Sequence, residues 1–375
     1  MKLERFMLER FQSEWEHHVA YNLSESGVEP LHVKDLLDTS ELKNRLLDLQ
    51  LGYSQTNGTI PLREAISYQY RGTTSAHILA TSGGAEANFL TTWWLRRENP
   101  ERNELVFMVP NYMQMGGIWK NLGGKVIPFK LKMEGGKWIP DIEGLKAAVS
   151  KNTAAIAICT PNNPTGKILS NDDLRSIVDI ANAHQAWIVS DEIYRGAELQ
   201  GNKAPSMHKL YDKALITSSL SKAYGLPGLR IGWVVCPTPE VALELWTYSD
   251  YTTICPAKMS DWLATFALQP EIQAAIEKRT RKVIRGNWAI MEKWIASHSD
   301  LMTVVPPEAA AICFIKMKDG INSLDFVLRV RDEKSVLISP GEHFDMPGFI
   351  RIGFGSDKEY LEPALQRISE LLETY

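Results

Sequence analysis

Between residues 76 and 236 the chain alternates short apolar runs with helical stretches, and this alternation limits the fold more than any other feature of the sequence. The apolar runs cover 77–81, 105–109, 125–129, 154–160, 187–190, 214–218 and 232–236. Helical stretches such as 86–97 and 171–184 lie between several of them. Strands alternating with helices predict an α/β domain built on a largely parallel, seven-stranded sheet. Such sheets bind ligands beyond the carboxyl ends of their strands. From 238 to 298 helical text dominates. After Pro306 three strand-like runs, 309–316, 336–339 and 349–354, precede a closing helix over 359–372, which predicts a smaller α+β domain. Residues 1–20 read as an amphipathic helix with Phe6, Met7, Phe11 and Trp15 as its apolar stripe. The expected division is 45–285 for the large domain and 1–44 plus 286–375 for the small one.

Composition narrows the class. A chain of 375 residues, 44% hydrophobic, can bury a large core and is long enough for two domains. With 41 basic against 45 acidic residues and a net charge of −4, the balance gives no support to nucleic-acid or polyanion binding. No apolar run reaches the length of a membrane span, and the N-terminus mixes charged with apolar residues, unlike a signal peptide. A cytoplasmic protein without membrane contact is expected. Cys159, Cys236, Cys255 and Cys313 lie far apart with no Cys-x-x-Cys, so neither a metal site nor a disulfide framework is suggested.

Several groups with chemical potential sit where strands end. The run Ser219-Leu-Ser221-Lys222 leads through glycines to Arg230. A lysine amine becomes a nucleophile when burial or nearby cations keep it deprotonated, and one use of it is a Schiff base to a carbonyl cofactor. Hydroxyls and an arginine nearby suit a phosphate, and pyridoxal phosphate (PLP) has both parts. The alternative is an exposed loop lysine beside a buried arginine. Gly83-Gly84-Ala85 opens a helix, where backbone N–H groups can approach a phosphate; a tight turn gives the same text. Tyr112 follows the 105–109 strand and could stack on a flat ring or simply close a core edge. Asn163 sits between two prolines in a rigid link, where its amide could reach a ligand oxygen. Asp191 ends the 187–190 run, where burial without a partner would be costly; a protonated pyridine nitrogen would offset that cost. Tyr194 follows three residues later.

In this order the fragments resemble the aspartate-aminotransferase-like group of PLP enzymes, the class I/II aminotransferases of fold type I. The matching motifs run from Tyr53 to Arg351. The resemblance implies that Lys222 holds PLP as an aldimine and shuttles a proton. It implies that Asp191 pairs with the pyridine nitrogen, and Tyr194 and Asn163 with the phenolic oxygen. Tyr112 would stack on the ring, and Gly84, Ala85, Ser219, Ser221 and Arg230 would hold the phosphate. Tyr53 would reach the phosphate of a neighbouring subunit, which implies a homodimer with shared sites. Arg351, in Phe349-Ile-Arg-Ile-Gly, would bind a substrate α-carboxylate together with Asn163, and Gly27 would line the entrance.

The chain departs from the family pattern at Ala85, where Ser or Thr is common, at the alanines 309–311, and in the segment 24–30. Segments 24–30, 51–59 and 250–256 resemble capreomycidine-synthase-like members, which implies elimination and ring closure on a hydroxylated amino acid as the alternative to transamination. No second arginine is evident for a distal carboxylate; Lys258 or Arg285 are candidates that read more simply as surface groups. Glu25 and Glu29 could instead favour a basic side chain. A non-catalytic PLP-binding regulator would need a DNA-binding segment that the sequence does not show. A dinucleotide enzyme would need the glycines of 225–232 to lead from strand to helix, and they do the reverse.

Overall fold

The structure is a computed structural model that describes residues 3–375. Its strands, in chain order, are β1 (Tyr21–Asn22), β2 (Ile78–Thr81), β3 (Glu104–Val109), β4 (Lys125–Glu134), β5 (Lys137–Pro140), β6 (Thr153–Cys159), β7 (Trp187–Asp191), β8 (Ala214–Ser219), β9 (Gly232–Val235), β10 (Met302–Val304), β11 (Ile312–Met317), β12 (Val336–Leu337), β13 (Ser339–Pro340) and β14 (Phe349–Gly353). The large sheet runs β2-β9-β8-β7-β6-β3-β4-β5. All seven expected strands are in it. The eighth, β5, forms a hairpin with β4 around Gly135 and Gly136, both at positive φ. That Gly-Gly turn is the hairpin signal in the sequence.

Strands β4, β3, β6, β7 and β8 are parallel, and β6 is buried along its whole length, as a strand covered on both faces must be. β9 is antiparallel to both β8 and β2. Its first residue, Gly232, therefore pairs with Thr81 and Ser219, the last residues of β2 and β8. The loop from Ser219 to Gly232 thus leaves from and returns to one edge of the sheet. A Cβ at Gly232 would overlap the backbone of Gly83 and Gly84, so only glycine allows this approach.

The smaller sheet is antiparallel, in the order β10-β11-β14-β13. The N-terminal segment lies beside it: β1 pairs with β12 in a separate two-stranded sheet, and the Gly353 N–H of β14 donates to the Leu23 carbonyl at 2.7 Å. Trp138 of β5 meets Phe314 and Phe349 at 6.2 and 5.9 Å, and those two rings stack at 4.8 Å. At about 1 kcal/mol per aromatic pair beyond area burial, the two pairs made by Trp138 contribute about 2 kcal/mol between hairpin and small sheet. The helix Pro270–Ala296 buries Ile276, Thr280, Ile284, Asn287, Met291 and Ile295, spaced three or four apart along one face.

The N-terminal helix is shorter than expected, Met7–Trp15, and its orientation corrects the sequence reading. Leu8 and Gln12 are the buried residues, Phe6 and Phe11 pack partly, and Met7 is exposed. Residues 1 and 2 of the expected helix lie outside the described residues. Gln12 Nε2 donates to the Ser24 carbonyl and hydroxyl at 2.8 and 2.9 Å, which fixes the helix to the entrance segment. Among the described residues no helix is long and apolar enough to cross a membrane.

A Cβ at Gly353 would overlap the Glu25 carbonyl. Gly353→Ala should displace the entrance segment and destabilise the protein by about 1–3 kcal/mol, seen as a lower unfolding midpoint. An unchanged midpoint would show that the approach is not obligatory. Burial, with Arg351 adding to it, pushes the His343 imidazole down from 6.5 to about 4. The unfolded chain then binds a proton that the folded chain refuses. The resulting stability is complete above pH 6.5 and declines as pH falls towards 4, by up to about 3 kcal/mol. His343→Gln should flatten that part of the stability profile of the apoprotein; profiles of equal slope would refute the assignment.

Candidate active site

The carboxyl ends of β2, β3, β6, β7 and β8 and the start of β9 share one edge, and a cavity of about 290 Å³ opens there. Ten of the thirteen expected site residues line it: Gly84, Ala85, Tyr112, Asn163, Asp191, Tyr194, Ser221, Lys222, Arg230 and Arg351.

Asp191 is the last residue of β7 and is buried. Its carboxylate accepts from Asn88 Nδ2 at 3.0 Å and from the Ile193 N–H at 3.1 Å. Burial pushes its pKa up, and these two hydrogen bonds only partly oppose that. Asn88 is itself oriented, because Thr217 Oγ1 donates to its Oδ1 at 2.7 Å. The sequence reading missed Asn88. The signal was its position four residues after Gly84, on the same face of the helix Gly84–Glu98.

Gly83, at φ +82, caps the start of that helix, and a Cβ there would overlap the Arg230 guanidinium. Arg230 thus lies over the turn that opens the helix, while its Nη1 donates to the Pro227 carbonyl at 3.1 Å. Ser219 Oγ lies beside Gly84 and accepts from the Ser221 N–H at 3.1 Å. Helix N–H groups, two hydroxyls and a guanidinium therefore meet at one point, a donor set for a phosphate. Glu86 reaches back to the Ser82 N–H and accepts from Thr252 and Thr253, tying the segment 250–256 to this turn.

Asn163 stands in a loop that Asn162 fastens, accepting from Thr165 Oγ1 at 2.6 Å and donating to the Pro110 carbonyl at 3.2 Å. Asn163 Oδ1 accepts from Arg351 Nη1 at 2.9 Å, so its amide nitrogen is the group left for a ligand. Arg351, on β14, is 1% exposed and so is no surface strand arginine. It also donates to the Ser24 carbonyl and to Ser339 Oγ, while its Nε–H has no acceptor. Burial lowers its pKa, and Tyr194, Glu25 and Glu9 oppose that shift.

The Tyr194 hydroxyl donates to Ser26 Oγ at 2.9 Å, and burial pushes its pKa up. Tyr112 donates to Glu9 Oε1 at 2.7 Å and meets Phe6 edge-on at 4.8 Å. Lys222 Nζ lies 3.5 Å from Glu25 Oε2. That ammonium holds the Glu25 carboxyl below its usual range, against the effect of burial.

Three expected residues do not line the cavity. Ser219 is fully buried, with its hydroxyl beside Gly84 at the helix start. Gly27 is outside the cavity, and a Cβ there would be 3.4 Å from the Ser221 carbonyl and 3.6 Å from Lys222 Cδ. Tyr53 is 88% exposed and lines a separate depression with Trp262. Glu29, Lys258 and Arg285 do not line the cavity. The N-terminal helix does, through Leu8, Glu9, Gln12 and Ser13, with Glu16 at its C-terminal end. Among the described residues no group of acidic, His or Cys side chains could hold a metal, and the four cysteines are free.

The arrangement fits PLP. Asp191 is a buried carboxylate without a cationic side chain among its partners, suited to a protonated ring nitrogen. The phosphate-type donors gather at the helix start, and Lys222 faces the space between. Comparison with known proteins agrees. A family model described as aminotransferase class I and II matches residues 43–368. The chain is 28% identical over 357 residues to capreomycidine synthase from Streptomyces vinaceus, covering 94% of this chain and 90% of that protein. It is 26% identical to aromatic-amino-acid aminotransferase 2 from Thermococcus litoralis, over 92% and 88% of the two chains. A crystal structure of a PLP-dependent aminotransferase from Streptococcus suis matches with a TM-score of 0.92 at 32% identity, covering 100% of this chain and 99% of that one.

Removing Asn88 should matter beyond its size. Asn88→Ala leaves the buried Asp191 with one donor fewer, a loss of about 1.5–3 kcal/mol for a hydrogen bond to a charged group. PLP affinity, measured by titrating apoprotein with the cofactor, should fall about tenfold or more while the fold persists. Equal affinity would remove Asn88 from the site.

Proposed function

The chain belongs to the class I and II aminotransferase family, and from that premise we propose that it moves the amino group of an L-amino acid to a 2-oxo acid. It is a PLP-dependent enzyme of fold type I. The observation that carries the reading is the meeting of Lys222, Asp191 and Arg351, from three distant parts of the chain, at one cavity.

PLP, when bound, supplies an electron sink that makes the substrate Cα–H acidic. The residues supply the rest. Lys222 Nζ holds the cofactor and then carries the proton from Cα. Asp191 keeps the ring nitrogen protonated, because an anion in that buried place is stabilised by the charge it meets. Arg351 receives the α-carboxylate, and Asn163 Oδ1 and Ser24 O fix its plane. The amide nitrogen of Asn163 and the phenol of Tyr194 serve the cofactor's ring oxygen, and Tyr112 covers the ring. Gly84, Ala85, Ser219, Ser221 and Arg230 hold the phosphate. Ala85 offers only its backbone.

The exposed Tyr53 is read as reaching the site of a second copy, in a homodimer with shared sites. A large unit of 45–285, a small unit of 1–44 with 286–375, Gly27 at the entrance and a cytoplasmic location belong to the same proposal. The boundary at 285 falls inside the helix Pro270–Ala296, a continuous link between the units.

A second reading is lyase or cyclase chemistry on a hydroxylated amino acid, which the likeness to capreomycidine synthase favours. Both readings begin with removal of the Cα proton. Lys222→Ala should reduce turnover by at least about a thousandfold and leave the fold intact, since nucleophile and proton carrier are lost together. Wild-type protein given a panel of L-amino acids should release one 2-oxo acid per amino acid consumed. Release of ammonia or water, with an unsaturated or cyclic product, would replace transamination with the second reading. Full turnover by the lysine variant would overturn both.

A further inference from the structure

Tyr112 covers the cofactor ring in the proposed function, and a cover must be held at one angle. The residue stands in the loop after β3, at the carboxyl edge of the sheet. Its ring turns about two side-chain bonds, so a fixed plane needs contacts at more than one point. The structure supplies two. The phenol donates to Glu9 Oε1 at 2.7 Å, and Phe6 meets the ring edge-on at 4.8 Å with 69° between the planes. Both contacts come from the N-terminal segment.

The helix Met7–Trp15 is suited to that task more than to its own stability. Its cap residue, Phe6, offers no side-chain hydrogen bond to the first turn. A Ser, Thr, Asn or Asp in that position would cap the helix, and nine residues are few for a helix that must stand alone. Phe6 serves the Tyr112 ring instead. Docking orders the helix: Arg331 lies over the Phe11 and Trp15 rings at 5.7 and 3.9 Å, and Gln12 holds Ser24. Ahead of the helix, Glu4 grips the helix Gln114–Asn121, which Tyr112 precedes. Lys120 Nζ lies 2.9 Å from the Glu4 carboxylate, and the Glu4 N–H donates to Asn121 Oδ1 at 2.8 Å. Glu9 therefore reaches the phenol from a segment held on either side.

Glu9 acts as a charge as well as an anchor. Burial, and then Glu9 itself, push the Tyr112 phenol up, so it stays a neutral donor. A carboxylate drawing on that proton makes the ring richer in electrons. An electron-rich face suits the cationic ring that Asp191 maintains in the proposed function.

We propose that Glu9 is a positioning residue for the cofactor: it fixes the Tyr112 ring over PLP, with Phe6 against the edge of that ring. This rests on the PLP-enzyme reading above and adds a residue to that site.

The test is titration of apoprotein with PLP, read by absorption and by the circular dichroism induced in the cofactor band. Glu9→Ala should weaken PLP binding about three- to tenfold, the scale of one hydrogen bond, and reduce the induced signal. Glu9→Gln keeps an acceptor without the charge and should recover part of both. In a Tyr112→Phe background there is no phenol to hold, so Glu9→Ala should add nothing further. A role in docking the helix alone would persist in that background. A role in contacting substrate would leave both readouts unchanged, since no substrate is present. Should Glu9→Ala fail to fold, Glu9→Gln in the two backgrounds carries the same comparison. Unchanged affinity and signal in the Glu9 variants, or an effect as large in the Tyr112→Phe background, overturns the inference. If Tyr112→Ala still weakens PLP binding, the covering role of Tyr112 survives that result. A Tyr112→Ala variant that binds PLP as wild type does overturns that role and the inference together, while the enzyme reading stands. Wild-type protein that takes up no PLP would overturn the enzyme reading as well.

Discussion

Arg351 is a buried cation, and a buried cation has to be met by acceptors wherever the chain can bring them. Here they come from Asn163 after β6, from Ser24 in the entrance segment and from Ser339 on β13. No two of these are near in sequence. Large sheet, small sheet and N-terminal segment are therefore held around one guanidinium, and the N-terminal helix follows because Gln12 donates to the same Ser24. Removing any acceptor would leave an unmet charge in a place that water does not reach.

A second constraint is topological. With β9 antiparallel, Gly232 lies between the last residues of β2 and β8, so Lys222 and Arg230 return to the edge where Asp191 ends its strand. The close approach of Gly232 to the Gly83 and Gly84 backbone brings the phosphate-type donors together. The sheet holds its carboxyl-end groups rigidly, and the small sheet adds Arg351 from the other side. In the proposed function, cofactor chemistry and substrate orientation thus rest on different parts of the chain, joined at Asn163.

Legibility in the sequence followed distance along the chain. Lys222, Asp191, Tyr194, Asn163 and Arg230 stood out because each lies in a short run whose local chemistry is unusual. The strands stood out because buried parallel strands are nearly continuous apolar text. The N-terminal helix was misread because its largest side chains suggested one buried stripe, while the structure buries Leu8 and Gln12 and turns Glu9 and Glu16 to the cavity. A polar face directed at a ligand looks, in sequence, like a face directed at water. Asn88 was overlooked for a related reason: its task is to hold Asp191, a residue 103 positions away. Glu29 was paired with Glu25 by proximity, but its backbone turns towards Arg279 and Gly355 and its side chain leaves the cavity.

The sequence by itself determined the α/β class, seven of the eight strands of the large sheet, the family and groups suited to PLP, because these depend on periodicity and on residues within a few positions of one another. The tertiary structure alone decided which carboxylates line the cavity, which amide orients the buried aspartate, and that one arginine joins three segments. Those outcomes depend on burial and on contacts between residues a hundred or more positions apart, and charge acquires its energetic meaning only once packing has removed the water around it.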